Sequence, residues 1–304
     1  MIVSDPAEFL AEFSPERYPA RAAATARAAF LVSPASATLA AESATDNRYM
    51  DLAQTIDPGR TLAQHAELAR RLGADLPVIS FPGRADCPDD MFPNNVFGTA
   101  PGRFIVGRMR HEVRRREAER ADSRGFFRDA LGYRLVDLSG SACVAELTGS
   151  LVIDRARGIG YCGLSERCDL AGARAMHEAF GLKLTFCFEL AEGEYHTNVV
   201  FALLASRAAL IAASGFRDPA VPHAIGRALG GHVIWLTQAQ KNAFSGNAIT
   251  LAPDRVWMST QAADALDAGQ KRAIARAAFT LQDVELGEIE KAGGSLRCCV
   301  GEIF

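Results

Sequence analysis

One pattern of helix, strand and hairpin returns about every 50 residues along this chain, which restricts the fold to an array of similar units. Apolar residues at helical spacing begin near Arg60, Val113, Asp169, Asp218 and Asp267. Leu62, His65, Ala66, Leu68, Ala69 and Leu72 mark the expected buried stripe of the first helix. Ala171, Ala175, Met176 and Phe180 mark that of the third, which Gly181 should end as a left-handed cap. A short apolar strand follows each helix: LPVISF, YRLVDL, LKLTFCF, HVIWLT and TLQDVEL. Next come a polar stretch and a strand hairpin, namely VFGTAPGRFIVG, GSLVIDRARGIGYCG, VVFALLASRAALIAA and NAITLAPDRVWMS in the first four units. The fifth unit has only CCVGEIF, and RAAFLVS near the N-terminus is expected to complete it. A strand passed between the two ends closes a ring and removes an open edge. The expectation is one α/β domain over residues 1–304, built of five pseudo-symmetric units.

The polar stretches fall at equivalent places in the units: PDDMFPNN, ELTG, EYHTN, FSGN and GGSLRCC. In a ring, equivalent places converge near the axis. One pocket would then collect Asp89, Asn95, Glu146, His196, Asn247 and Cys298, which unites a nucleophile, a base, carboxylates and amides.

Charge and cysteine usage narrow the partners. With 33 Lys and Arg against 36 Asp and Glu, no positive field draws nucleic acid or an anionic membrane. The run from Arg110 to Arg120 is broken by Glu112, Glu117 and Glu119 and reads as a solvated helix face. No apolar stretch is long enough to span a bilayer, and the N-terminal segment is acidic where a secretion signal is basic. A cytoplasmic location is expected. Seven cysteines without a C-x-x-C pair fit neither a disulfide framework nor a zinc site. No metal or organic cofactor is implied, and oligomerisation with copies of itself is left open.

PDDMFPNN, ELTGSLVIDR, GLSERCD, EYHTNVVF, FSGNAITL and GGSLRCCVGEIF, in this order, resemble the amidinotransferase superfamily. Within it the likeness is greatest to arginine-deiminase-related proteins of the citrulline-utilisation type, and it runs from FLVSPAS to Phe304. The resemblance implies a five-bladed α/β propeller of ββαβ-type repeats that cleaves a C–N bond of a guanidino or ureido group. The family has Glu-Gly-Thr-Gly where this chain has Leu147 in the second place. It has methionine where Cys299 stands, and an aromatic is common at Val96. These departures are expected to alter the pocket.

The resemblance implies Cys298 as nucleophile, with its thiolate favoured by a protonated His196 or a cationic substrate. His196 would be general acid and base, and Glu146 would orient it. Cys299 should face the other side of the same strand. Asp89 would receive a cationic substrate group. Arg167 resembles an arginine that holds the α-carboxylate by a bidentate fork, with Arg115 a second candidate. Asn247 would bond substrate or shape a turn. Asn95 and Asn198 stand where relatives acting on guanidinium have carboxylates, and an amide suits a neutral urea better. Citrulline hydrolysis to ornithine, ammonia and carbon dioxide is therefore the leading expectation. Arginine deiminase or dimethylarginine dimethylaminohydrolase activity, amidino transfer, and a non-catalytic binding module are the alternatives.

Overall fold

The computed structural model describes residues 1–36 and 38–304. It contains five small sheets with the same internal wiring. In each, two strands form an antiparallel pair, and a helical crossover returns the chain to a third strand parallel to the second. One sheet holds Phe97–Ala100, Arg103–Val106 and Arg134–Asp137. The next holds Leu151–Asp154, Ile159–Leu164 and Leu184–Glu189, with Ile2–Val3 added at its edge. The third is Phe201–Leu204, Ala208–Ile211 and Val233–Trp235. The fourth is Ile249–Ala252, Arg255–Ser259 and Thr280–Val284. The fifth joins the two ends of the chain, because Gly301–Ile303 pairs antiparallel with Ala28–Val32, which pairs parallel with Val78–Phe81. The segment RAAFLVS thus completes the fifth unit as expected.

Four crossovers each carry one helix of nine or more residues, with a shorter α-helix ahead of it, Ala41–Ala44 or Thr260–Ala265, in two of them. Pro58–Leu72 starts on Asp57, whose side chain accepts from the Arg60 N–H, and Leu170–Phe180 and Ala268–Arg276 start on Asp169 and Asp267 in the same way. Gly181 ends Leu170–Phe180 at φ 67°, a conformation that costs a side-chain-bearing residue more. The first stripe needs a correction: Leu62 is exposed, and Thr61 and Gln64 are buried beside His65, Leu68 and Leu72. In the third, Ala171 is exposed while Gly172 and Ala173 are buried.

The second crossover departs further from expectation. Residues 112–130 break into Glu112–Arg115, a 3₁₀ turn Arg116–Glu119, Ala121–Gly125 and a π-type turn Phe126–Ala130. Arg114, Glu117, Arg120 and Ser123 are all buried, and a spacing of three suits a 3₁₀ helix, not the 3.6 of an α-helix. Here the solvated-face reading of Arg110 to Arg120 fails. Arg114 forks onto Glu117 at 2.8 and 2.7 Å, and Arg120 binds Asp90 at 2.8 Å and Asp122 at 2.6 Å. Buried charges of this kind persist only when paired. Among the described residues no helix is long and apolar enough to cross a membrane.

Candidate active site

Cys298 lies in the 3₁₀ turn Leu296–Cys299, just ahead of Gly301–Ile303. Its N–H donates to the Ser295 carbonyl at 3.0 Å. Asn247 Oδ1 accepts from the Arg297 N–H at 2.9 Å, and its Nδ2 donates to the Asn198 carbonyl at 2.9 Å. Asn247 therefore ties two units together, and the same Nδ2 stands 3.4 Å from the Cys298 sulfur. Asn198 Nδ2 donates to the Thr148 carbonyl at 3.2 Å and lies 3.9 Å from that sulfur. The cysteines are not on a strand as expected, but their side chains do diverge. Cys298 lines a cavity, whereas Cys299 is packed into the core with its sulfur 3.6 Å from the Ser295 carbonyl.

His196 and Glu146 form a wholly buried pair, with Nε2 2.8 Å from Glu146 Oε2. Burial pushes the Glu146 carboxyl up, but Arg167, His196 and Arg114 outweigh it and hold it well below the usual range. An ionised carboxylate only accepts, so the imidazole hydrogen is assigned to Nε2 and Nδ1 keeps a free lone pair. Burial also lowers the His196 pKa despite Glu146, which keeps the ring neutral. Burial raises the Cys298 thiol against the opposing pull of Ser295, Asn247 and Arg297. Burial thus favours the uncharged form of both groups, the thiol at Cys298 and the neutral ring at His196.

Gly149 makes room for this. A Cβ there would fall 2.5 Å from Asn95 Oδ1 and 2.8 Å from His196 Nδ1, closer than any real contact. Asn95 Oδ1, His196 Nδ1 and Asp89 Oδ1 are all buried without a hydrogen-bond partner in the protein. An acceptor left so costs about 1–3 kcal/mol, which a ligand's donors would recover.

Asp89, Asn95, Arg167, Tyr195 and Cys298 line a cavity together with Arg114 and Phe92. His196 and Glu146 are fully buried and, like Asn247, are not part of that lining. Asn198 borders the sulfur but opens onto a different cavity. Arg167 is inside, yet it is not free to fork onto a ligand. It binds Asp46 through Nε and Nη2 at 2.9 and 2.5 Å, Glu146 through Nη1 at 3.2 Å, and the Ser43 carbonyl at 3.0 Å. Arg115 is not brought to the site. It binds Glu112 and the carbonyls of Met109 and Arg110 beside another surface depression.

Its neighbour Arg114 is the residue the sequence reading missed. Nε and Nη2 are taken by Glu117 and by the carbonyls of Asp89 and Phe92. Among the described residues Nη1 has no protein partner, so it is the cavity's spare guanidinium edge. The only available signal was the spacing of three that joins it to Glu117 and Arg120. Also missed was the segment around Ser43 to Met50, which folds over the cavity. Ser43 Oγ donates to Asp89 Oδ2 at 2.5 Å, Asn47 Nδ2 to the Gly293 carbonyl at 3.1 Å, and Tyr49 to Glu194 at 2.7 Å. A connection longer than the usual maximum of about 12–15 residues was its one trace in the sequence. Leu147, Cys299 and Val96, where the sequence departs from the family pattern, are buried in core clusters and are not among the residues that line the cavity. Among the described residues no group of three or more His, Cys, Asp or Glu is placed to hold a metal ion.

Similar structures share this fold. The substrate-bound N-terminal domain of ArgZ, described as an arginine dihydrolase from the ornithine-ammonia cycle in cyanobacteria and seen as a cysteine-to-serine variant, aligns at TM-score 0.79 and 18% identity, covering 91% of this chain and 97% of that one. AgrE in complex with L-arginine aligns at 0.78 and 18%, covering 91% and 40%. A dimethylarginine dimethylaminohydrolase adduct with 4-chloro-2-hydroxymethylpyridine aligns at 0.70 and 19%, covering 91% and 100%. Comparison with curated proteins gave no match. The family model for N,N dimethylarginine dimethylhydrolase, eukaryotic, matches residues 33–304. With nine-tenths of its length under that match, and with the thiol, imidazole and carboxylate set as described, the chain belongs to the dimethylarginine dimethylhydrolase family of the amidinotransferase superfamily.

Proposed function

We propose that residues 1–304 form one five-bladed propeller domain that hydrolyses a C–N bond in the ureido or guanidino group of an arginine-like amino acid, with citrulline the leading substrate. Contacts between the first strands of successive sheets, Gly301–Ile303 with Phe97–Ala100 and Phe201–Leu204 with its neighbours on both sides, support the ring. The observation that carries the chemistry is a thiol beside two asparagine amides on a cavity wall, in the same chain as a buried imidazole whose Nδ1 has no protein partner.

The substrate α-carboxylate would take the spare edge of Arg114, and its ammonium would take Asp89 Oδ1. Arg167 then acts through Asp46 and Glu146 as a positioning residue. His196 Nδ1 accepts the thiol proton as the Cys298 sulfur attacks the ureido carbon. The C–Nδ bond breaks, and the same proton passes to the departing amine, giving ornithine and a carbamoyl thioester. Water, losing a proton to Nδ1, attacks that thioester. The sulfur leaves as thiol, and the carbamate breaks down to ammonia and carbon dioxide.

The guanidino reading has its own support in the family match and in Asp89, whose carboxylate could pair with a cation. There the intermediate is an amidino thioether, and ammonia or a methylamine leaves first. A panel of citrulline, arginine, methylated arginines and succinylarginine, assayed for ammonia, amine and ornithine, tests both. Release of ornithine from citrulline is the expected result, and a panel in which only methylarginines turn over would overturn the leading reading.

A further inference from the structure

Arg297 and Cys298 are adjacent, yet they face different cavities. The Arg297 side chain lines a second cavity together with Arg155, Glu302, Thr148 and Asn198. Arg297 is already engaged, with Nη2 on Glu302 at 2.9 Å and Nη1 on the Val300 carbonyl at 2.8 Å. Arg155 is not. Among the described residues it donates one hydrogen bond, from Nη1 to the Thr99 carbonyl at 2.9 Å, and its guanidinium sits 4.1 Å over the Phe304 ring. Two guanidiniums against one carboxylate leave the lining of this cavity one positive charge in excess. A confined cation without a counter-ion is costly, and its free N–H edge matches a flat oxyanion. Burial and the like charge of Arg297 pull the Arg155 pKa down to about 10 against the opposing pull of Glu302, a sign of how little surrounds it that is negative.

We propose that this second cavity is a binding site for a small monovalent oxyanion of the bicarbonate type, held by Arg155 and separated from the Cys298 sulfur by the side chain of Asn198. The choice of bicarbonate rests on the hydrolytic reading, since hydrated carbon dioxide is the one product with this charge and shape. The site itself does not. An anion there shares no contact with Asp89 or Arg114, so it should bind alongside the amino-acid substrate and slow turnover without competing with it.

The test is binding of ¹³C-bicarbonate to the intact protein at constant ionic strength, followed by line broadening, with nitrate as competitor. Saturable binding displaced by nitrate is expected. Arg155→Gln should weaken it at least about tenfold, equivalent to about 1.4 kcal/mol. Arg155→Lys should recover part of it, and Asp89→Asn should leave it unchanged. Should Arg155→Gln fail to fold, Ala248→Leu adds bulk at another residue that lines the same cavity and is expected to block binding. Absence of saturable binding, equal binding by the folded Arg155→Gln or Ala248→Leu protein, or loss of binding in Asp89→Asn would each overturn the proposal. Because the assay needs no turnover, a protein inactive on the substrate panel but positive here would sink only the activity reading.

Discussion

On one side of the substrate cavity each buried arginine is matched by carboxylates; on the other, around Cys298, the groups are amides, a thiol and a neutral ring. Arg167 with Asp46 and Glu146, and Arg114 with Glu117, make up the charged side. Asn95, Asn198, Asn247 and the His196 ring make up the other, where two of the three partnerless acceptors lie. The contrast separates two kinds of work. Mutually neutralised charges hold positions and have little left to offer a ligand, apart from one edge of Arg114. Uncharged groups with unused lone pairs are unstable alone and become stable when a substrate supplies donors. Mutations on the two sides should therefore fail differently, the first in stability and the second in turnover.

The largest effect falls on the uncharged side. Cys298→Ser should abolish ammonia release with an unchanged melting temperature, while Cys299→Ser keeps most of the activity. An inactive Cys299→Ser beside an active Cys298→Ser would assign the nucleophile to the other cysteine. On the charged side, Arg167→Met leaves the fully buried Glu146 and the half-buried Asp46 without the guanidinium they share. A loss of about 3–5 kcal/mol in urea unfolding is expected, against under about 0.5 kcal/mol for the surface Arg115→Ala. Similar losses for the two would erase the distinction.

Asn95→Asp carries a charge across from one side to the other. It should weaken citrulline turnover and strengthen arginine binding by about 1.5–3 kcal/mol, or about 10- to 100-fold in relative preference. A wild type that already prefers arginine, with the preference destroyed by this change, would mark a guanidinium site. The smallest effect is a shift in pH. Because the Cys298 thiol is raised, its thiolate is scarce at neutral pH and grows only above the ordinary cysteine value of about 8.5. Alkylation of Cys298 by iodoacetamide, read by peptide mass, should rise with an inflection above that value. An inflection below it would mean that the free enzyme stores a thiolate.

The five sheets were legible because each carries its own local period, and the closing strand was legible as the one segment without a partner. The pairing of His196 with Glu146 was legible because equivalent positions of a repeat meet, whereas the choice of Cys298 rested on its likeness to the family's cysteine after arginine. The arginines were not. Arg114 and Arg115 differ by one residue in a run that alternates charge, and which of them turns inward depends on Glu117 and on two carbonyls from a different unit. The covering segment from Ser43 to Met50 has no period at all, because its contacts are single side chains reaching Asp89, Arg167 and Gly293. Tertiary partners of that kind leave no trace in spacing.

The pairing of Gly301–Ile303 with Ala28–Val32 also sets a timetable. Few contacts in the molecule bridge a longer stretch of chain, and contacts of high sequence separation form late and slowly. The buried His196–Glu146 pair belongs to two adjacent units and can assemble earlier. During refolding there should be an interval in which the proton acceptor is in place and the sulfur is not. Recovery of the slow, native alkylation rate at Cys298 would then report the final step of ring closure, later than the far-ultraviolet signal of the sheets.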